Sequence, residues 1–486
     1  MATATHNIEQ AAKKSLYTPD GNPMTEEEVR RRRAIVERAF LTTRPGEALV
    51  MVLLVGLMIW GFGYWVVKQL IDGLTITDLT QKVFWGIYIT NFVFWIGVSH
   101  VGMLISAVLR ILDAKFRTPI TRIAEEVTIV SLVMGAASVL IDMGRLDRAQ
   151  HIVIYGNITS PLVWDVISIT FYLTGSLIFF YTPIIPDFAY YRDNLDPRKH
   201  KIRQKIYKIL ALNWKGTPEQ FEKLEHGIME RLKWFILPIA LSVHTVVSWI
   251  FAVTWRPGWN STIFGPYFIS GAIFSGTAAL VTALVVFTWY YKLDDYITVS
   301  HIQSANKILL ATNFAYGYFT LNEYLIPAYK REGHEMEALY QVFYGDLAPT
   351  FWFILIGTMF IPFVMGLKIN TMKPEEKTKV YWYAFISSVL VNIGAWLKRY
   401  VILVPTLRIP VIDESEGIYP YNPTQGEIAI TIAQVAFFIF FYWFINKLVP
   451  HIPLWEVELE WERDGLVDGE TPTRQHLKQM GSTFHH

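Results

Sequence analysis

Three ionisable residues stand inside or at the ends of long apolar segments, where such residues are rare. His100 lies in the middle of one segment, Asp142 at the end of the next and Asp165 at the start of the one after. Ionisable groups in a bilayer cost free energy, so they are retained mainly where they bind or carry something. A carboxylate or an imidazole can accept the protons that a substrate releases on oxidation. These residues therefore predict proton-coupled chemistry in a membrane.

The composition indicates an integral membrane protein. Of the 486 residues, 52% are hydrophobic and 17% are charged, against roughly 25% charged in soluble proteins. The positive charge is spread over the loops and the pI is near neutral, so we expect no nucleic-acid partner. With no cysteine, the chain can form no disulfide and hold no thiolate-bound zinc or iron–sulfur cluster. Any redox metal must belong to a partner or be bound by histidine.

Ten apolar runs are long enough to span roughly 30 Å of hydrocarbon, which takes about 20 residues. They cover 47–67, 83–109, 124–142, 162–182, 235–255, 268–290, 305–326, 350–367, 381–404 and 429–449. Polar residues dilute the seventh run, so as a helix it must face protein or water. The sequence predicts an all-α polytopic protein with ten transmembrane helices.

Lysine and arginine in the connections predict the orientation. The N-terminal segment, the second-to-third connection and the fourth-to-fifth connection are rich in these residues and fall on one side. The protein is therefore expected in a bacterial inner membrane, with both termini on the cytoplasmic side. The predicted parts are a cytoplasmic N-terminal segment (1–46), helices one to four (47–182), a cytoplasmic connection (183–234), helices five to ten (235–449) and a cytoplasmic tail (450–486).

Two of the cytoplasmic segments have further patterns. The 183–234 connection mixes charged and apolar residues at helical spacing, which predicts a surface helix or a pair of helices. The tail contains tryptophans and acidic residues, and we expect a partly ordered cytoplasmic arm that docks on a neighbour.

This orientation brings the two aspartates to the outer face. Counting about 1.5 Å per residue from Val83 puts His100 roughly 25 Å deep, slightly past the midplane. The residues expected at the outer face beside Asp142 and Asp165 are Arg145, Arg148, His151, Trp255 and Arg256. An aromatic wall, protonatable groups and an apolar interior suit an amphipathic quinol, which releases two protons when it is oxidised.

Plainer interpretations of the same residues stay open. The two aspartates are also explained as helix caps that pair with the arginines of the loop between them. His100 is also explained as a neutral histidine bonded to a neighbouring hydroxyl group.

A second polar set lies in the later helices. Glu323 of the seventh helix and Lys398 of the ninth come out near the outer end, with Asn313 deeper. They predict either a proton path, to which we also assign His244 of the fifth helix, or a structural ion pair that locks two helices. His100 and His244 are the two histidines deep in membrane helices, too few for a pair of bis-histidine haems, so we expect no haem in this chain.

Four motifs resemble a known family. They read SHVGMLISAVLRI (99–111), LIDMGR (140–145), WDVISITFYLTGSLIFFY (164–181) and WLKRYVILVP (396–405). They are similar to the NrfD-like membrane subunits of the polysulfide reductase type. The ten-helix layout, the long basic connection and the tail are most similar to the ActC type, the quinol-binding subunit of bacterial alternative complex III.

The resemblance implies two four-helix bundles, helices two to five and six to nine, with two flanking helices. It implies a quinol site in the first bundle, formed by His100, Asp142, Arg145 and Asp165 and less directly by Trp255 and Arg256. It also implies a proton path in the second bundle. The implied partners are an iron–sulfur subunit, multihaem cytochrome c subunits and a second NrfD-like membrane subunit.

The function that the sequence favours is the oxidation of menaquinol or ubiquinol in a respiratory electron-transport complex. Electrons would pass to the iron–sulfur partner, protons would leave outward, and this chain would be a subunit with no haem or iron–sulfur cluster of its own. Two other classes stay open: a secondary transporter, which a two-half layout with polar helices also fits, and a purely structural anchor of a redox complex.

Overall fold

The computed structural model describes residues 22–112, 114–411 and 417–479. The start of the predicted N-terminal segment and the end of the predicted tail lie outside the described residues. Within them, regular structure is almost entirely helical, and the strand pairing consists of a short parallel bridge between β1 (Met24–Thr25) and β2 (Val467–Asp468). The predicted all-α class is confirmed.

Long helices follow one another along the described chain. They are α1 (Glu26–Leu41), α2 (Pro45–Tyr64), α3 (Ile87–His100), α4 (Thr118–Asp142), α5 (Pro161–Tyr181), α6 (Ile185–Asn194), α7 (Pro197–Leu210), α8 (Glu230–Ala252), α9 (Phe264–Tyr291), α10 (Val299–Lys330), α11 (Gly333–Phe343), α12 (Ile361–Ile369), α13 (Lys377–Arg408), α14 (Gln425–Leu448), α15 (Leu454–Arg463) and α16 (Pro472–Gln479). In the described ranges, nine helical spans are long and apolar enough to cross a membrane. The predicted seventh membrane helix is α10, which has the required length but a more polar composition.

Side chains of α10 explain how a polar helix is accommodated. The amide Nδ2 of Asn313 donates to the carbonyl of Met359 over 3.1 Å, and that of Asn306 donates to the carbonyl of Gly366 over 2.9 Å. Met359 belongs to a π-helical segment, Phe353–Phe360, that precedes α12. A π-helical turn departs from the regular hydrogen-bond ladder of the α-helix. The polar face of α10 is therefore turned toward protein, as its composition requires.

The membrane helices pack as two bundles with a flanking pair. α3, α4, α5 and α8 contact one another, and so do α9, α10, α12 and α13, while α2 packs along α14. Close approach inside each bundle depends on small residues. The amide of Gly102, in the π-helical turn Val101–Ile105 after α3, donates to Thr128 Oγ1 of α4 over 2.8 Å. A Cβ atom on this glycine would collide with the backbone of Ala124.

Both ends of the described chain meet at one end of the helix bundles, here named the terminal face. Arg33 of α1 forms a buried ion pair with Glu458 of α15 at 2.8 Å, and Trp455 Nε1 donates to the carbonyl of Pro183 over 2.8 Å. Trp461 stacks on Tyr296. The tryptophans that led us to expect docking on a neighbour are thus buried against this chain itself.

The other end of the bundles, the opposite face, carries the connections 143–160, 253–263 and 331–347. The predicted connection 183–234 lies at the terminal face and contains α6, α7 and the start of α8. The surface helix expected there from its apolar spacing is α7, whose Tyr207 is buried while most of its charged residues are exposed.

Candidate functional site

Asp165 and Asp142 reach the opposite-face end of the first bundle from two helices that contact each other. Asp165 lies in the second turn of α5 and is only 5% exposed, and Asp142 is the last residue of α4 and half-buried. Among the described residues, the Oδ1 atom of each carboxylate is buried and has no hydrogen-bond partner. Buried polar groups without partners are uncommon in folded proteins and are found where strain is stored or where water, an ion or a ligand completes the hydrogen bonding.

The loop arginines do not neutralise these two aspartates in the structure. Arg145 makes a bidentate contact with Asp147 of its own loop at 2.8 and 2.7 Å, and both side chains are exposed. The hydrogen bonds from Arg145 hold the pKa of Asp147 down at about 2. The pairing that would have made Asp142 and Asp165 ordinary surface ion pairs is therefore not observed in the described chain.

Three residues that the sequence did not single out lie near the end of α4 at which Asp142 stands. Gln69 Nε2 donates to the carbonyl of Ile141 over 2.5 Å, and Tyr88 donates to Gln69 Oε1 over 2.9 Å. Glu427 of α14 lies close enough to interact electrostatically with Asp142. Glu427 is itself satisfied, because Tyr421 donates to its Oε1 over 2.7 Å and it caps the first turn of α14. Glu427 carried one sequence signal, the Thr-x-x-Glu pattern of a capping box at 424–427.

His100 lies deeper in the first bundle, in direct contact with His244. The two ring centroids are 3.8 Å apart, and the ring of Tyr172 lies 5.2 Å from His100. His100 Nδ1 is 3.0 Å from the carbonyl oxygen of Ile96, and Nε2 is 2.6 Å from that of Ala240. A neutral imidazole can donate to only one of these two carbonyl oxygens, whereas an imidazolium donates to both. The polar neighbours of the His100 ring are thus backbone carbonyls instead of the neighbouring hydroxyl that the sequence offered as its partner.

His244 completes this pair from α8. Its Nδ1 atom is buried and has no hydrogen-bond partner among the described residues. It also lines a small cavity between the two bundles, together with Tyr267, Tyr316 and Arg399. His244 is thus placed between the candidate site of the first bundle and the polar groups of the second.

Trp255 and Arg256 follow α8 at the opposite face, and only Arg256 is recorded in contact with an aromatic ring within the described ranges. Trp255 is 75% exposed, and the guanidinium of Arg256 lies 5.7 Å from the ring centre of Phe84. Partial burial lowers the pKa of Arg256. Behind it, Trp85 stacks on Trp259 at 6.1 Å. Arg256 thus lies over an aromatic ring, and the described part of the chain records no ion pair between it and Asp142 or Asp165.

The second bundle contains a buried ion pair. Lys398 Nζ donates to Glu323 Oε2 over 2.6 Å and to the hydroxyl of Tyr324 over 2.5 Å. Tyr267 donates to the same carboxylate oxygen over 2.8 Å. A cavity beside the pair is lined by Glu323, Tyr324 and Glu335, whose Oε2 atom is buried without a partner in the described ranges. Asn313 is not part of this cluster, because its amide is bonded to Met359.

Arg399 connects the two halves. Its guanidinium is buried, and it donates to the carbonyls of Ala395 and Gly271 over 2.8 and 3.1 Å and to Ser275 Oγ over 3.2 Å. Gly97 of α3 faces it so closely that a Cβ atom there would lie 3.0 Å from Arg399 Nη2. A buried positive charge satisfied by neutral acceptors thus lies where α3, α9 and α13 meet.

The family model described as Polysulphide reductase, NrfD matches residues 75–410, which include both bundles. The chain belongs to the NrfD family. The match contains every predicted site residue.

Relatives of this NrfD-family chain include subunits of membrane reductases and oxidoreductases. It is 24% identical over 400 residues to a selenate reductase subunit of Mesobacillus selenatarsenatis, covering 79% of this chain and 89% of that protein. It is 24% identical to the Hdr-like menaquinol oxidoreductase integral membrane subunit of Archaeoglobus fulgidus, with the same coverage of 79% and 89%. It is 27% identical to a putative dimethyl sulfoxide reductase membrane subunit of Halobacterium salinarum, over 49% of this chain and 50% of that protein.

Proposed function

We propose that this chain is the quinol-binding membrane subunit of a quinol:electron-acceptor oxidoreductase of the alternative complex III type. The observation that carries the proposal is the pair of buried carboxylate oxygens, Asp165 Oδ1 and Asp142 Oδ1, that have no hydrogen-bond partner among the described residues. A quinol head presents two hydroxyl groups, which are the donors that these acceptors lack. The exposed apolar helix surfaces around the first bundle suit the isoprenoid tail.

The atoms and electrons of the proposed reaction are accounted for without a metal in this chain. When the quinol is oxidised, two O–H bonds break and two C=O bonds form. The two electrons leave to an iron–sulfur cluster in a partner protein, and the two protons go to carboxylates. Asp165, the more deeply buried carboxylate, accepts from the quinol hydroxyl, and Asp142 at the mouth passes protons to water at the opposite face. His100 and His244 form the deeper end of the site.

Assembly and orientation belong to the same proposal. The protein lies in a bacterial inner membrane. Its terminal face, with both ends of the described chain, is on the cytoplasmic side, and its opposite face binds the iron–sulfur subunit. The complex is completed by multihaem cytochrome c subunits and by a second NrfD-like membrane subunit. The name of the Archaeoglobus relative, a menaquinol oxidoreductase subunit, supports menaquinol as the substrate, with ubiquinol as the other candidate.

Proton translocation through the second bundle extends the proposal. The groups that support it are His244, the tyrosines that line the small cavity beside it, and the Glu323–Lys398 pair next to the cavity that contains Glu335. These groups lead from the depth of His244 toward the opposite face, so they would form the outward half of a proton path. Asn313, which we predicted on this path, serves a structural contact with Met359 in this arrangement.

The test is the replacement of each aspartate in the assembled complex. Asp165→Asn and Asp142→Asn should each lower quinol-dependent turnover about 100-fold or more, the range typical for loss of a general base. Asp147→Asn is the matched control, because this exposed carboxylate lies in the adjoining loop. Assembly is checked by co-purification of the metalloprotein partners, and bound quinone by extraction. Unchanged turnover in both variants would overturn the site assignment. If the parent complex turns over but no quinone can be extracted with this subunit, the structural-anchor interpretation would be favoured.

A further inference from the structure

Helix α7 combines an exposed apolar stripe with a row of exposed lysines. Ile202 and Ile209 are 76% and 74% exposed, and Ile206 between them is also exposed. Spacings of four and three residues put these side chains on one face of the helix. Lys201, Lys205 and Lys208 are exposed beside the stripe. Among the described residues, no carboxylate forms an ion pair with these three lysines.

The charge of α7 is strongly one-sided. Between Pro197 and Leu210 the chain contains six lysines and arginines and no acidic residue. The other face of the helix is packed on the protein, since Tyr207 is buried and Arg203 donates to the carbonyl of Phe40 over 3.2 Å. The isoleucine and lysine stripes are therefore the outward surface of a firmly docked helix.

Contacts of the packed face fix the level of α7 relative to the membrane helices. Tyr207 donates to the carbonyl of Leu448, the last residue of α14, over 2.7 Å. Tyr181, the last residue of α5, donates to the carbonyl of Leu210 over 2.5 Å. Because α7 touches the ends of two membrane helices, it lies at the boundary between hydrocarbon and headgroups. A helix at that boundary can bury apolar side chains in the acyl region while lysines reach the headgroups.

We propose that the stripe Ile202–Ile206–Ile209 and the lysines Lys201, Lys205 and Lys208 form a binding surface for anionic phospholipids of the leaflet at the terminal face. Charge complementarity selects the ligand, because a cluster of lysines at a membrane surface attracts anionic headgroups. A soluble protein partner fits less well, since lysine is depleted at protein interfaces and the stripe presents no aromatic anchor. The bound lipids would hold the terminal face at a fixed depth in the bilayer.

Lipid retention tests the lysines. The full-length protein is placed in nanodiscs of equal parts phosphatidylglycerol and phosphatidylcholine, then released into detergent, and the retained lipids are counted by native mass spectrometry. The triple variant K201Q/K205Q/K208Q should retain at least tenfold less phosphatidylglycerol, with phosphatidylcholine unchanged. The triple K201R/K205R/K208R should behave as the parent protein, because it keeps the charge.

A control triple, K373Q/K377Q/K379Q, makes the same change of charge in the first turn of α13 and the connection before it, and should retain phosphatidylglycerol normally. Two of its lysines already have carboxylate partners, Asp294 and Glu376. Equal retention in the two glutamine triples would overturn the proposal. So would release of a soluble protein, with no change of lipid, by K201Q/K205Q/K208Q.

Depth measurement tests the isoleucines independently. Because the chain contains no cysteine, Ile209→Cys creates a unique labelling site. A bimane at this position should be quenched by brominated phospholipids in vesicles, while one at Glu27→Cys, on the exposed side of α1, should not. An unquenched probe at position 209 would show that the stripe lies outside the bilayer and would overturn the proposal.

Discussion

The imidazole rings of His100 and His244 lie 3.8 Å apart, edge to face, in the interior of the first bundle. The sequence assigned them to different tasks, one to the quinol site and the other to a proton path. Their contact makes them one unit, because two adjacent buried imidazoles cannot both carry charge without strong repulsion. A proton on one ring therefore influences whether the other accepts one.

Replacing either histidine should consequently affect turnover, and replacing both should cost less than the product of the two effects. We expect His100→Ala and His244→Ala each to lower quinol oxidation by the assembled complex on the order of 100-fold, and the double variant to lose little more. Steady-state kinetics of the four proteins measures the coupling. His151→Ala, at an exposed position of the opposite face, is the control. Independent, multiplicative effects would contradict the coupling.

The Glu323–Lys398 pair should be costly to break from one side. Lys398→Met leaves a carboxylate without its cation and should destabilise the protein by about 3–5 kcal/mol, whereas Lys398→Met with Glu323→Gln should recover most of that loss. Thermal unfolding of the purified protein measures both changes.

The same double variant separates the two interpretations of the pair. A structural lock predicts that the stable double variant keeps its ratio of protons released to electrons transferred in proteoliposomes. A proton path predicts that this ratio falls while quinol oxidation continues. Equal stability of the single and double variants would contradict the coupling of the two side chains.

The buried side chain of His451 should make the stability of the protein depend on pH. It follows α14 at the terminal face, both ring nitrogens lack partners among the described residues, and its ring stacks on Tyr291. Burial, with the nearby charges of Lys447 and Arg122, lowers its pKa to about 3. The unfolded chain, with a histidine pKa of about 6.5, binds the proton more readily. Stability is therefore full above about pH 6.5 and falls as the pH drops below that value.

The corresponding variant is His451→Phe, which retains the stack on Tyr291 and removes the titrating group. Unfolding temperatures measured between pH 7 and pH 4 should fall less steeply for this variant than for the parent protein. Parallel curves for the two proteins would show that another group controls the acid sensitivity.

Packing of the second bundle depends on Gly394. A Cβ atom at this position of α13 would overlap Thr358 of the neighbouring π-helical segment. Gly394→Ala should lower the free energy of unfolding by about 1–3 kcal/mol, and Thr358→Ala in the same protein should restore part of it. Gly56→Ala is the control, because no atom lies within 4 Å of the added Cβ. A neutral Gly394→Ala would show that the two helices separate easily.

The positions of the membrane helices could be predicted from the sequence, because spanning a bilayer imposes a local requirement on length and hydropathy. Each of the ten predicted runs falls on a helix of the structure, including the polar seventh run in α10. Glu323 and Lys398 could be placed near each other for a similar reason, since each lies near the C-terminal end of its helix. The motifs that resemble the NrfD family are short, continuous stretches of sequence, so they can be recognised without a structure.

The partners of individual side chains were decided only by the tertiary structure. Hydropathy gives the depth of a residue but not the rotation of its helix about its axis, and that rotation determines which side chains meet. It turned His244 onto His100 and directed Asn313 to the carbonyl of Met359. The fold of the loop after α4, in turn, paired Arg145 with Asp147. The unpartnered oxygens of Asp142 and Asp165 have the same origin, because only packing decides which buried groups find a donor.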